Sequence, residues 1–162
     1  MFNLTKKKKQ GRSLGYNQSI HVTNVVSRYY EVDLKNFAKV FEEFVVTVVQ
    51  SGYTPKSNFF YSINSDIRET TDMILQVFIS VEEDKVYELP EEYRYQSYYE
   101  VKNMLGVRVA GENELDFAEG IGALIEEIVA IDAELSSPPF YFVTQIGDKT
   151  YTDILIGIKE KE

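Results

Sequence analysis

The chain has no cysteine, no tryptophan and a single histidine, His21, among 162 residues. Without thiols there are no disulfides and no thiolate metal sites. One imidazole excludes a histidine metal cluster within one chain. Any catalytic triad that needs histidine would have to use His21. No apolar run approaches the roughly 18 residues that mark a transmembrane helix. The basic N-terminus is not followed by an apolar stretch, so it is not a secretory signal. A cytoplasmic protein is the default expectation. No GxxxxGK[ST] stretch is present, so a phosphate-cradling loop of that kind is excluded.

Positive charge is also scarce. Lysine and arginine number 17 against 26 aspartates and glutamates, a formal charge of −9. Such a chain repels a phosphate backbone, and neither a nucleic-acid nor a membrane partner is expected. The exception is Lys6-Lys7-Lys8-Lys9 with Arg12. These residues read as a solvated basic tail over residues 1–18.

What is abundant is the aromatic side chain, with twelve tyrosines and ten phenylalanines, and a pattern that occurs twice. In the second half, apolar Leu115, Ala118, Ile121, Ile125, Ile128 and Val129 fall at helical spacing. They predict a helix from Glu114 to Leu135, ended by Pro138-Pro139 because proline cannot continue a helix. Phe140–Thr144 and Asp153–Ile158 follow as strands. A shift of 81 positions sets Leu115 on Leu34, Ile121 on Val40, Ile125 on Phe44, Phe140 on Phe59 and Asp153 on Asp72.

The first half shows the same order. Residues 19–32 are β-branched and aromatic and predict a strand. Asp33 is placed to cap a helix. Leu34, Phe37, Ala38, Phe41, Phe44, Val45, Val48 and Val49 form its stripe. Gly52 and Pro55 stop it. Strands are expected at Phe59–Ile63 and Met73–Val81, with a polar loop at 64–71. In the latter strand, Leu75, Val77, Ile79 and Val81 share one face and Gln76, Phe78 and Ser80 the other. The acidic stretch 82–94 reads as the crossover, and Tyr95–Ala110 as the counterpart of the first strand. The predicted fold is α+β: a duplicated β-α-β-β unit, two helices on a largely antiparallel sheet with pseudo-two-fold symmetry. The expected organisation is one domain over 19–160, made of repeats 19–83 and 95–160.

This duplicated unit, its aromatic strand after each helix and its last strand DILIGIKE resemble the GyrI-like fold. That family includes effector-binding domains of multidrug-responsive regulators and stand-alone gyrase-inhibitor-like proteins. The resemblance implies a cleft between the halves, where aromatic side chains and often a buried acid receive flat or cationic organic ligands. Phe59-Phe60-Tyr61 and Phe140-Tyr141-Phe142 match the family's tyrosine-bearing strands. Gly157 stands where the family usually carries a proline. No residue matches the cation-binding acid of the best-known regulators, and no helix-turn-helix segment precedes the domain. The length and lysine-rich start are also similar to a group of Firmicutes proteins encoded near LXG-type toxins of type VII secretion. That likeness implies an accessory or partner-binding role.

Tyrosine offers an apolar body and a polar tip suited to ligand clefts and interfaces. Tyr29-Tyr30 and Tyr98-Tyr99 sit on corresponding strands, and alternation sends one ring of each pair to each face. Ordinary strand packing with hydroxyls at the rim accounts for such rings more readily than a cleft does. Arg28 and Arg108 lie on the two first strands, as surface charge or as an anion-holding pair. Glu42-Glu43, Glu82-Glu83, Glu91-Glu92 and Glu126-Glu127 are adjacent residues that do not face each other on a helix, and read as solvated faces. Ser136-Ser137 lacks a base. Gly120 and Gly122 inside a helix imply close helix approach.

The reading is a non-enzymatic binding protein that holds a small organic ligand. Its candidate ligand-binding residues are Tyr29, Tyr61, Tyr98, Phe142 and Arg108. No catalytic residue, metal or cofactor is implied, and the chain is expected to be a monomer or homodimer. The alternative is an accessory factor or chaperone that presents a sheet face or tyrosine rim to another chain, such as a type VII secreted LXG toxin. A hydrolase would need a placed acid and base, for which the sequence offers no strong pair.

Overall fold

The computed structural model describes residues 14–66, 69–111 and 113–161. The Lys6–Lys9 run and Arg12 lie outside the described residues. The elements are β1 (Leu14–Val32), a 3-10 turn (Leu34–Asn36), α1 (Phe37–Gln50), β2 (Phe60–Ile63), β3 (Met73–Ser80), β4 (Tyr93–Ala110), α2 (Glu114–Ala130), β5 (Ala133–Ile146) and β6 (Lys149–Glu160). The pairings β1–β3, β2–β3, β4–β6 and β5–β6 are antiparallel. The α+β fold with two strand-helix-strand-strand units is therefore as expected. Residues 14–18 belong to β1 rather than to a tail.

Two compact units form. One is Ile20–Glu100; the other is Val101 onward together with the described residues before Ile20. β1 and β4 therefore each run through both. The acidic stretch 82–94 lies inside the first unit, because the first part of β4 belongs there too. It is tied down by Tyr53, whose hydroxyl donates to the Lys85 carbonyl (2.9 Å) and accepts from the Tyr87 amide (2.8 Å).

In the first unit β1, β3 and β2 pair in that order, with Arg28 opposite Val77 and Tyr61 opposite Val77. Directly paired residues lie on the same side of a sheet. Leu75 and Val77 are fully buried on the side that α1 covers. There Tyr61 meets Phe37 and Phe41 at ring separations of 6.2 and 4.8 Å. The helix ends in a Schellman arrangement. Gly52, at φ 104, donates to Val49 O, and Tyr53 donates to Val48 O, which satisfies carbonyls the helix leaves open. Asp33 does not cap with its side chain; its Oδ1 accepts from the Asp72 amide instead (2.9 Å).

The second unit repeats this plan, at a spacing that differs from the sequence expectation. Phe117 meets Tyr141 (5.4 Å) as Phe37 meets Tyr61. Asp132, at φ 54, ends α2 as Gly52 ends α1. Both matches are 80 residues apart (117 − 37 and 132 − 52), not 81. One residue is 100° on a helix, so the buried face of α2 is rotated from the expected stripe. Ile121, Ala123, Leu124, Glu127 and Ile128 are buried, whereas Leu115, Ile125 and Val129 are exposed. The helix also stops at Ala130 rather than Leu135, because Asp132 takes the left-handed conformation and β5 begins at Ala133.

Pro138 and Pro139 therefore sit inside β5, where the ladder to β6 shifts between Leu135 and Pro139. Prolines in sheets are confined to such irregularities. The Ser137 hydroxyl accepts the Gly157 amide there (2.7 Å), a donor that a proline at 157 would lack. A side chain at 157 would also strike the Ser136 and Ser137 hydroxyls, at 2.7 and 2.8 Å.

The two glycines of α2 differ. A Cβ at Gly120 would lie 2.8 Å from Val109 Cγ1 and 3.1 Å from Ile154 Cδ1; one at Gly122 meets nothing within 4 Å. Only Gly120 serves close helix-to-sheet approach. Gly122→Ala is expected to stabilise the fold by about 1 kcal/mol through helix propensity. Gly120→Ala is expected to destabilise it, since overpacking costs about 1–3 kcal/mol and outweighs the same gain. Denaturant midpoints followed by circular dichroism read both, and equal shifts of one sign would refute the close-approach account.

Candidate functional site

Each unit has one sheet face covered by its helix and one that its helix does not cover. Strand alternation decides which side chains reach the uncovered face. In the first unit two rows of paired residues cross it: Ser27–Phe78–Phe60 and Tyr29–Gln76–Ser62. In the second unit the corresponding rows are Gly106–Leu155–Phe140 and Arg108–Asp153–Phe142. The two patterns match because Asn24 and Asn103, at φ 55 and 56, each stand just before the ladders that begin at Val25 and Met104.

The first-unit face is aromatic with a small polar element. Phe60 stacks on Phe78 (4.8 Å, 6° between planes), and Tyr99 lies 4.9 Å from Phe78. Burial pushes the Tyr99 hydroxyl pKa up to about 12. Ser62 donates to Asn64 Oδ1 (2.7 Å). Ser27 is 1% exposed and its hydroxyl has no hydrogen-bond partner. A buried hydroxyl without a partner costs about 1–3 kcal/mol, so the position is suited to a water or a ligand polar group. Tyr29, 52% exposed, stands in the adjoining row.

On the second-unit face Arg108 is engaged by Asp153. Nε donates to Oδ1 (2.6 Å) and Nη2 to Oδ2 (2.9 Å), and the guanidinium lies 5.6 Å from the Tyr151 ring. The carboxylate raises the Arg108 pKa. The pair neutralises itself, so neither row presents a net charge. Phe142 completes the second row, half-buried.

Three of the five candidate residues, Tyr29, Arg108 and Phe142, thus lie on the faces that their unit's helix does not cover, where Ser27, Phe60, Phe78 and Phe140 are nonetheless buried. Tyr61 is 6% exposed and packs under α1. Tyr98 is exposed and sets its ring edge-on to His21 at 5.0 Å. Its neighbour Tyr99 takes the place against Phe78. Arg28 and Arg108 do not form an equivalent pair. Arg28 lies on the α1 side, 4.3 Å from the Tyr30 ring and 5.2 Å from the Tyr93 ring, and Tyr29 holds the position corresponding to Arg108. Ser27, Phe60, Phe78 and Tyr99 were missed by sequence reasoning. The alternation of β3 pointed to Phe78; nothing in the sequence pointed to Ser27.

Glu126-Glu127 also departs from the solvated reading. Glu127 is 5% exposed and accepts a hydrogen bond from the Tyr16 hydroxyl. It belongs to the buried side of α2, away from the aromatic rows. Among the described residues no group of three or more histidines, aspartates or glutamates could hold a metal ion. No helix among them is long and apolar enough to cross a membrane.

A family model described as a domain of unknown function, DUF5085, matches residues 21–162. The chain belongs to the DUF5085 family. No curated protein matches its sequence. Solved structures place this DUF5085 chain in a known architecture. The C-terminal domain of EcmrR is similar with a TM-score of 0.69 at 12% identity, over 93% of this chain and 98% of that one. EcmrR in a DNA complex gives a TM-score of 0.74 at 14% identity over 98% of this chain, which spans 62% of that one. SAV2435 bound to tetraphenylphosphonium gives 0.51 at 10% identity, over 91% and 93% of the two chains. These likenesses are of fold, and the fold is GyrI-like.

Burial raises the hydroxyl pKa of Tyr30, Tyr99 and Tyr141 above the ordinary value of about 10. Between about pH 10 and 12 the folded chain keeps protons that the unfolded chain has lost. Stability should therefore be complete below pH 10 and fall as pH rises through that window. Denaturant midpoints at stepped pH, with tyrosinate absorbance, check this. Tyr99→Phe should flatten part of the decline, and an unchanged slope would count against a late-titrating Tyr99.

Proposed function

We propose that this chain is a non-enzymatic protein that binds a small organic ligand on its helix-free aromatic faces. The observation that carries the reading is the first-unit face: stacked Phe60, Phe78 and Tyr99 beside a buried Ser27 hydroxyl without a partner. Flat rings match stacked aromatics, and one polar group on the ligand would satisfy Ser27. The fold of SAV2435, a structure of which holds tetraphenylphosphonium, supports the same reading. The self-neutralised Arg108–Asp153 pair leaves no dedicated counter-ion in the two rows, so selectivity rests on shape and stacking. The overall negative charge still favours the approach of a cation. In the first unit Tyr29 stands beside the aromatic stack; in the second unit Phe142 shares its row with Arg108, which Asp153 holds in place. Tyr61 supports the site from beneath through α1.

A protein-binding accessory role, including one beside type VII secreted LXG toxins, is the second reading. The exposed apolar residues of α2 favour it.

With no tryptophan, tyrosine fluorescence reports binding without interference. Titration with tetraphenylphosphonium is expected to give a saturable change. Tyr29→Ala is expected to weaken binding about tenfold, the loss of about one stacking contact. Ser27→Ala should leave tetraphenylphosphonium, which has no hydrogen-bonding group, unaffected. Absence of saturation with it and with a panel of flat aromatic compounds would overturn the ligand reading.

A further inference from the structure

Arg28 and Arg108 differ in how their charge is met. Arg108 has a carboxylate on two of its nitrogens, at 2.6 and 2.9 Å. Arg28 has no such partner. Among the described residues its carboxylate contact is a long one, 3.7 Å from Nη2 to Glu92 Oε2, and the Glu92 side chain is 67% exposed. The Arg28 side chain is itself only 21% exposed, and its Nε is buried without a hydrogen bond. A guanidinium so far out of water is costly to hold without a well-placed acceptor. Its position is nevertheless fixed. The Tyr30 and Tyr93 rings lie 4.3 and 5.2 Å from it, and Tyr93 stacks in turn on Phe44 of α1 (5.9 Å, 16° between planes). The charge is held where α1, the end of β1 and the start of β4 meet, all within the first unit.

Two hydroxyls stand beside this charge. Those of Tyr30 and Tyr93 are 3.5 Å apart, at the long limit for a hydrogen bond, so each has room for a better acceptor. Burial and Tyr93 raise the Tyr30 pKa, Arg28 opposes them, and Glu43 adds a smaller rise. Tyr30 is therefore a protonated donor, with Glu43 close by. Glu43 and Glu92 are both exposed. These two acids decide the kind of ligand. A simple anion that displaced Glu92 from Arg28 would set three negative charges around one positive charge, and like charges brought together are unfavourable. A ligand that carries its own ammonium group balances them. We propose that Arg28, Tyr30 and Tyr93 bind the carboxylate of a free amino acid, and that Glu43 and Glu92 hold its ammonium group. Because Nε is buried, the carboxylate takes the fork of the two Nη groups, which match its planar geometry, beside the two hydroxyls. Without ligand, Glu92 holds that place weakly. The site lies on the α1 side of the first unit, so it does not rest on ligand binding at the helix-free faces.

The test follows the Arg28 Nε–H signal by NMR in the full chain, assigned by its loss in Arg28→Lys. The probes are glycine, leucine and phenylalanine as amino acids, acetate as a carboxylate alone, methylamine as an ammonium alone, and inorganic phosphate. At least one amino acid is expected to shift the signal saturably, at least about tenfold tighter than acetate, methylamine or phosphate, the loss of about one charge-assisted contact. Arg28→Lys keeps the charge but not the fork, and calorimetry should show amino-acid binding lost. The double variant Glu43→Gln/Glu92→Gln alters only exposed side chains and decides the matter if Arg28→Lys does not fold. It should weaken the amino acid, strengthen acetate and so remove the preference between them. Tetraphenylphosphonium titration of either variant should match the parent. The proposal is overturned if no amino acid gives a saturable shift, if acetate or phosphate binds as tightly, or if the double variant leaves the preference in place. Any of these results alongside saturable tetraphenylphosphonium binding would sink the amino-acid site alone and leave the ligand reading of the aromatic face standing.

Discussion

A residue in the left-handed region interrupts the two-residue alternation of a strand, and this chain has one at the same place in each unit. Asn24 and Asn103 hold φ near +55°, a conformation asparagine tolerates better than most residues with a side chain. Each is held by its side chain as well: the Tyr95 hydroxyl donates to Asn24 Oδ1 (2.8 Å), and Asn103 Nδ2 donates to the Ile158 carbonyl (2.8 Å). The ladders that follow inherit their parity from these points. That parity sends Val77 and Ile154 under the helices and leaves Phe78, Tyr29, Arg108 and Asp153 on the other side. A shift of one residue would exchange the two sets.

The helices exploit the same parity differently. α1 covers its face with large rings, Phe37, Phe41 and Phe44, and its buried positions are Phe37, Phe44 and Val48. α2 brings its backbone against Val107, Val109 and Ile154 at Gly120. α2 buries Ile121, Ala123, Leu124, Glu127 and Ile128 around this contact and still leaves Leu115, Ile125 and Val129 outside. The uncovered sheet faces complete the division of labour: aromatic and neutral in the first unit, with a self-paired arginine and aspartate in the second.

Much of this was legible in the sequence. Helix and strand periodicity gave the element order, the alternation of β3 was assigned to the correct faces, and Gly52 was read as a helix stop. Aligning Phe140 with Phe59 instead of Phe60 set the internal repeat at 81 rather than 80. Apolar spacing alone put Leu115 and Val129 in the core, because α2 has apolar residues on two sides, and the adjacency of Glu126 and Glu127 put Glu127 in solvent. Aspartate as a left-handed helix stop carries a weaker signal than glycine, so Asp132 went unread and the prolines were credited with ending α2. Tyr61 was chosen for its chemistry, but its partner across the ladder is Val77, and pairing partners are not visible in a single sequence. Ser27 is an ordinary serine until its surroundings are known.

The division of β1 and β4 between the two units bears on how the chain is made. The start of β1 belongs with residues that follow Val101, and the first turns of β4 belong with residues that precede it. The unit Ile20–Glu100 is one continuous piece of sequence, whereas the other needs both ends of the chain. During synthesis Leu14–Ser19 must wait, unpaired with its own unit, until nearly the whole chain has left the ribosome. Contacts of such long sequence separation close slowly, and cutting the chain after Glu100 would part Leu14–Ser19 from the rest of its unit.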